Sequence, residues 1–180
     1  MSRDHTILTP KVLEKISHLR EHFPVEALTI PLLHAIQDEH GYVSREAISE
    51  SAAHLGLPLA KVLKVATFYT IFNQEPKGKL HLQVCTNIAC WLNGANDLVA
   101  HLEQRLGIKA GETTTDGKFS LSRVECLAAC GTAPAMQVND TYVENLSKAK
   151  LDDLIDKWSK SECCGICDGD GDGGGEEEKA

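Results

Sequence analysis

Apolar positions recur three and four residues apart through the first part of the chain, the spacing of helices that bury one face. Thr9-Pro10 reads as a helix start, with Pro at the first helical position where its missing N–H costs nothing. Val12, Leu13, Ile16, Leu19 and Phe23 follow at helical spacing, and Pro24 ends the run. A second helix carries Leu28, Leu32, Leu33 and Ile36 and stops at Gly41, well suited to a left-handed C′ position. Ser44 caps a third, with Ile48, Ala52 and Leu55 inward and Gly56 at its end. Pro58 opens a fourth, with Val62, Leu63, Ala66 and Phe68 through Phe72. Four short helices with tight connections predict a small bundle.

The period changes after Pro76-Lys77-Gly78. Leu80, Leu82 and Val84 alternate with Lys79, His81 and Gln83, which is the period of a strand. After Cys90, Leu92, Ala95, Leu98, Val99, Leu102 and Leu106 line one side of a helix, with Gly107 past its end. Thr114-Thr115-Asp116-Gly117 is turn chemistry, and Phe119, Leu121 and Arg123-Val124 make a second strand. Ala135 to Val138 make a third strand, and Asn139-Asp140 turns into a short fourth at Tyr142-Val143. Ser147 then caps a last helix holding Ala149, Leu151, Leu154, Ile155 and Trp158. A strand, a helical crossover, a second strand, a closing hairpin and a final helix are the order of a thioredoxin-like layer of helices on a mixed sheet. The fold class predicted is α+β: a helical bundle over residues 1–76 and a thioredoxin-like domain over 77–160. Residues 161–180 are rich in Gly, Asp and Glu and are expected to stay disordered.

Composition narrows the function. The chain has 180 residues, of which 42% are hydrophobic, and a formal charge of −8. That charge argues against nucleic acid, whose phosphates need a basic face. No apolar run reaches the roughly 20 residues of a membrane-spanning helix, and the N-terminus has neither a secretory pattern nor an Arg-rich transit pattern.

Seven cysteines, an odd number without an export signal, point to metal binding or catalysis rather than to a disulfide framework. Cys85 follows the first strand directly, and Cys90 opens the helix after it. Cys126 follows the second strand, and Cys130 lies four residues further on. Two strand ends in one sheet can lie side by side, so four thiols can meet at one edge. Four thiolates from two loops can hold either Zn²⁺ or an iron–sulfur cluster. Zinc knuckles favour two-residue gaps, whereas these gaps are of four and three residues and suit the larger [2Fe–2S] rhomb. An oxidised cluster with four thiolates is a dianion, and N–H groups at the start of the helix near Trp91 are expected to stabilise it. The loops around the cysteines carry few charges, so N–H···S bonds and burial would set the potential.

Several flanking segments carry a resemblance: Val65-Ala66-Thr67-Phe68-Tyr69, Leu82-Gln83-Val84-Cys85 through Cys90, Asn93-Gly94-Ala95, and Gly111-Glu112-Thr113-Thr114 with Asp116-Gly117. Val124-Glu125-Cys126-Leu127 to Cys130, Ala133-Pro134 and Val138-Asn139-Asp140 complete the set. In this order they resemble the small iron–sulfur subunit (the E subunit) of the NADH-oxidising module of respiratory complex I. The likeness spans roughly residues 10–158. It implies one [2Fe–2S] cluster on Cys85, Cys90, Cys126 and Cys130, exchanging single electrons with FMN. FMN and NADH are expected on a larger flavoprotein subunit within the respiratory complex, not on this chain. It further implies an enzyme subunit without a complete active site, cytoplasmic and peripheral at the inner face of the cell membrane. Related subunits serve NAD-linked hydrogenases and formate dehydrogenases. A zinc-stabilised scaffold and a thiol–disulfide oxidoreductase are the readings from other classes. Relatives often carry Gly where this chain has Ala128, and a loop needing positive φ there is strained by Ala.

Other features have blander explanations. Cys164-Gly165-Ile166-Cys167, with Cys163 before it, has the form of a redox dithiol but sits in a Gly/Asp segment rather than at a helix start. His18 and His22 lie four apart with no third ligand, which reads as a solvated face. Phe68, Tyr69 and Phe72 read equally as core or as a docking patch. Pro134 precedes a strand, and only the resemblance raises the expectation of a cis bond there.

Overall fold

The computed structural model describes residues 6–160. Its chain divides into two compact units, with the division between Lys77 and Gly78. The tail expected to be disordered, with Cys163, Cys164 and Cys167, lies outside the described residues.

The first unit is helical: α1 (Pro10–Ser17), a 3-10 turn (Val25–Leu28), α2 (Thr29–His40), α3 (Arg45–Leu55) and α4 (Leu59–Phe68). Thr9 Oγ1 accepts the Val12 N–H and Ser44 Oγ accepts the Ala47 N–H, so both expected caps are made. Val12, Ile16, Leu32, Leu33, Ile36, Ala47, Ile48, Val62 and Ala66 form the buried core. Gln37 ties α2 to the segment after α4, donating to the Ile71 carbonyl at 2.8 Å and accepting from the Asn73 N–H at 2.7 Å. Glu50 accepts the N–H groups of Ile7 and Leu8 and anchors the N-terminal approach.

Two helix ends differ from the periodicity. α1 stops at Ser17 and the chain continues in turns, so Phe23 is exposed rather than inward. His18 caps α1, and His22 therefore lies off that helix. α4 stops at Phe68, and the aromatic group splits: Phe72 is buried against His34, whereas Phe68 is 72% exposed. The apolar spacing ran on past both helix ends because exposed apolar residues such as Phe23 and Phe68 carry the same signal as inward ones.

The second unit has a four-stranded sheet in the order β2-β1-β3-β4: β1 (Leu80–Cys85), β2 (Phe119–Val124), β3 (Met136–Val138) and β4 (Thr141–Val143). β1 and β2 are parallel, with Leu80 opposite Phe119 and Cys85 opposite Val124; the other two pairings are antiparallel. Two helices connect β1 to β2, α5 (Ile88–Leu92) and α6 (Ala95–Leu106), and α7 (Lys148–Lys160) closes the unit. The apolar sides of β1, β2 and β3 pack with Leu98, Val99, Leu102, Leu151 and Ile155. α6 and α7 are joined at the surface by His101 with Asp152 at 2.8 Å and by Arg105 with Asp152 and Asp156. This mixed sheet with helices is the predicted thioredoxin-like α+β architecture. Among the described residues no helix is long and apolar enough to cross a membrane.

One expected helix is two. Gly94 takes φ +86°, which a residue with a Cβ adopts only under strain, and it separates α5 from α6. Cys90 therefore lies inside α5 instead of opening a helix, and Leu92 turns to solvent instead of inward.

Candidate metal centre

The parallel register sets the site. Cys85 ends β1 opposite Val124, the last residue of β2, so the loops leaving both strands start side by side. The first loop enters α5 under an Asn87 cap, which turns Cys90 inward. The second runs from Glu125 through Cys126, Leu127, Ala128 and Ala129 into a short 3-10 turn at Cys130–Thr132.

All four candidate ligands are free thiols at this edge; Cys85 and Cys90 are buried, and Cys126 and Cys130 are exposed. Cys85 Sγ donates to the Glu125 carbonyl across the two loops at 3.8 Å. Cys85, Cys90 and Ala95 form a small buried cluster against which Val124, Leu127 and Ala133 pack. Burial pushes the Cys90 thiol up, and the adjacent Cys85 and Cys130 sulfurs add to that, against the lowering effect of the Ala135 backbone N–H. Crowded sulfurs favour the protonated form unless a cation accompanies them.

Trp91 N–H donates to the Asn87 carbonyl at 2.8 Å. Two other backbone groups reach the sulfurs: Ala128 N–H donates to Cys126 Sγ at 3.3 Å, and Ala135 N–H faces Cys90. Ala128 makes its bond at φ +59°, the positive angle expected at this position. The Ala133–Pro134 bond beside the site is cis. Ala135 carries no sequence signal as a donor, because only the pairing of strands brings it to Cys90.

The donor set fits an iron–sulfur rhomb. Two pairs from two loops, with N–H groups aimed at sulfur and no acid or base among residues 126–138, suit a larger anionic cluster gripped at both ends.

The similarities to known proteins agree with this geometry. Residues 13–159 match the family described as thioredoxin-like [2Fe-2S] ferredoxin. The chain is 48% identical over 133 residues to the NADH-quinone oxidoreductase E 2 subunit of Rhizobium meliloti (strain 1021), covering 74% of this chain and 79% of the relative. It is 46% identical over 131 residues to the corresponding E subunit of Rickettsia felis, covering 72% and 78%. Among solved structures, an NAD+-reducing [NiFe]-hydrogenase in the H2-reduced state superposes with a TM-score of 0.62 at 24% identity, over 71% of this chain and 22% of the hydrogenase chain. This chain thus spans under a quarter of that protein, and the likeness shows the fold alone. The chain belongs to the thioredoxin-like [2Fe–2S] ferredoxin family.

Proposed function

We propose that this chain is the electron-transfer E subunit of an NADH:quinone oxidoreductase. In this reading Cys85, Cys90, Cys126 and Cys130 hold one [2Fe–2S] cluster, which exchanges single electrons with FMN on a partner subunit. The observation that carries it is that two cysteine loops, with four free thiols, leave the adjoining ends of two parallel strands. The name that the relatives share, that of the NADH-quinone oxidoreductase E subunit, supports the parent complex.

When bound, the cluster supplies a one-electron carrier. The chain's own residues hold and tune it. Cys85 and Cys90 present their sulfurs from a buried, water-poor side, and Cys126 and Cys130 present theirs from the exposed side. The N–H groups of Ala128 and Ala135 stabilise negative charge on sulfur, which favours the reduced state. NADH and FMN sit on the flavoprotein, and this chain stays on the cytoplasmic side, held peripherally at the inner membrane face by its complex. The helical unit over residues 1–76 and the cluster unit over 77–160 act as separate domains, followed by the acidic segment 161–180.

Anaerobic purification followed by iron, acid-labile sulfide and visible absorption tests the cluster. About two irons and two sulfides per chain are expected; a colourless protein with stoichiometric zinc would overturn the reading. Cys126→Ser should lose or distort the absorption, and Cys164→Ser should leave it intact. The opposite result would move the ligands into the C-terminal segment.

A further inference from the structure

α1 ends at Ser17, and the turns that follow carry Arg20 to the last turn of α3, where its guanidinium hydrogen-bonds the His54 ring. Two basic side chains in contact disfavour each other's charged form unless an anion joins them. Among the described residues no acid does so: the ion pairs of the helical unit are made by Lys11 with Glu39, Lys15 with Asp38 and Lys61 with Glu26. Glu50, one turn before His54 on α3, accepts the Ile7 and Leu8 N–H groups instead. The carbonyl end of α3 supplies about half a negative charge, less than the guanidinium alone carries.

The pair stands at the rim of a cavity of about 270 Å³, whose other lining residues are Val25, Leu28 and Leu55. Leu28 and Leu55 are buried and floor it, while Val25 is exposed at its edge. A cationic rim over an apolar floor selects a ligand with two parts. The guanidinium is always protonated and has no lone pair to offer a metal ion. Inorganic phosphate would satisfy the cations and leave the leucine floor unused. A carboxylate matches the planar Arg fork in bidentate geometry, and a short hydrocarbon body gains by covering the floor. The volume is at the small end for ligand cavities, which fits a body of a few carbons rather than a nucleotide.

We propose that this cavity binds a small organic carboxylate, held through its oxygens by Arg20 and His54 and through its apolar body by Val25, Leu28 and Leu55. The residues all belong to the helical unit, and the ligand is independent of the cluster reading. Binding supplies an anion and so favours the protonated His54 ring, which burial and Arg20 otherwise disfavour. Among the described residues Arg20 is the charged group that acts on that ring, since Glu26 of the 3-10 turn pairs with Lys61 and Glu50 is held as above. Affinity therefore rises as the pH falls through the His54 titration, and the bound ligand stabilises the helical unit.

The test titrates the full chain with sodium hexanoate by calorimetry, with acetate and inorganic phosphate as comparison probes. Hexanoate should bind saturably in the millimolar range or below, and acetate, which lacks the apolar body, about tenfold or more weakly. Arg20→Gln should weaken hexanoate about tenfold or more, whereas Arg45→Gln, an exposed arginine at the other end of α3, should leave it unchanged. Lowering the pH from about 7.5 to about 6 should tighten hexanoate binding in the wild type and not in His54→Gln, a difference that a purely structural Arg20–His54 contact would not give. Should Arg20→Gln lower the melting temperature, the wild-type His54 ring resonances decide: they should shift saturably with hexanoate, and fixed resonances overturn the site. Absence of saturable binding overturns the proposal. Equal affinity for acetate and hexanoate, or tighter binding of phosphate, overturns the ligand class. Hexanoate binding that Arg20→Gln and His54→Gln leave intact overturns the location.

Discussion

At Ala128 the backbone stands at φ +59° so that its N–H can reach Cys126 Sγ. A left-handed non-glycine residue costs about 1–2 kcal/mol, part of which glycine would return as extra freedom in the unfolded chain. Ala128→Gly keeps the N–H and should raise stability by about 0.5–1 kcal/mol in urea unfolding, with the visible spectrum unchanged. A loss of stability would show that this position is not strained. His54 gives the helical unit a pH dependence near neutrality. Burial first, and then the charge of Arg20, hold its pKa below the ordinary 6.5, and the two side chains share a hydrogen bond. The unfolded chain therefore takes up the proton before the folded one does. Stability is full above the ordinary value and is lost as the pH falls through it toward the folded pKa. His54→Gln should flatten that slope in thermal melts taken between about pH 7.5 and 5. The first of these residues was legible in the sequence, because Ala fills a position that relatives often give to Gly. The second was not, since its environment depends on Arg20, in the turn after α1, coming beside α3.

At the level of elements, two positions report on packing. Ser51 lies fully buried in α3, and its hydroxyl finds no hydrogen-bond partner. Ser51→Ala removes that orphan and improves helix propensity, for an expected gain of about 1 kcal/mol read as a higher urea midpoint. Gly78 precedes β1 where a Cβ would come within 2.8 Å of the Phe119 backbone, and its N–H donates to Ser120 Oγ at 2.7 Å. Gly78→Ala should cost about 1–3 kcal/mol by forcing β1 and β2 apart, seen as a lowered unfolding midpoint. Strands were legible because alternation is local: the predicted residues 79–84 became β1 at Leu80–Cys85. Helix ends were less so. α5 and α6 share one apolar stripe in sequence, and it took the left-handed Gly94 to split them and turn Leu92 outward.

Across the whole molecule, the two larger hydrophobic cores are each built within one unit, and a third, small cluster surrounds Cys85 and Cys90. Since the second core draws on no residue before Leu80, residues 78–160 produced alone are expected to fold and to take up iron and sulfide with the full chain's visible spectrum. A fragment that stays unfolded, or folds without binding iron, would mean that the helical unit is needed to form the site. The uncharged edge over the cysteines is a property of this scale too, since it joins two stretches some thirty residues apart in the chain.

The sequence alone determined the class of fold, the change from helix to strand near residue 77, and four cysteines at two strand ends, because these depend on local periodicity and on order along the chain. It left zinc and iron–sulfur both open on the cysteines alone; loop width and charge tilted the choice toward [2Fe–2S], and the flanking motifs made it firm. Tertiary structure decided the rest. Parallel pairing of β1 with β2 brought the two cysteine loops together, β3 brought Ala135 to Cys90, and the break at Gly94 exposed α5. Those outcomes depend on which strands pair and in what register, and hydrogen bonds between residues forty or more positions apart leave no periodic trace in the chain that makes them.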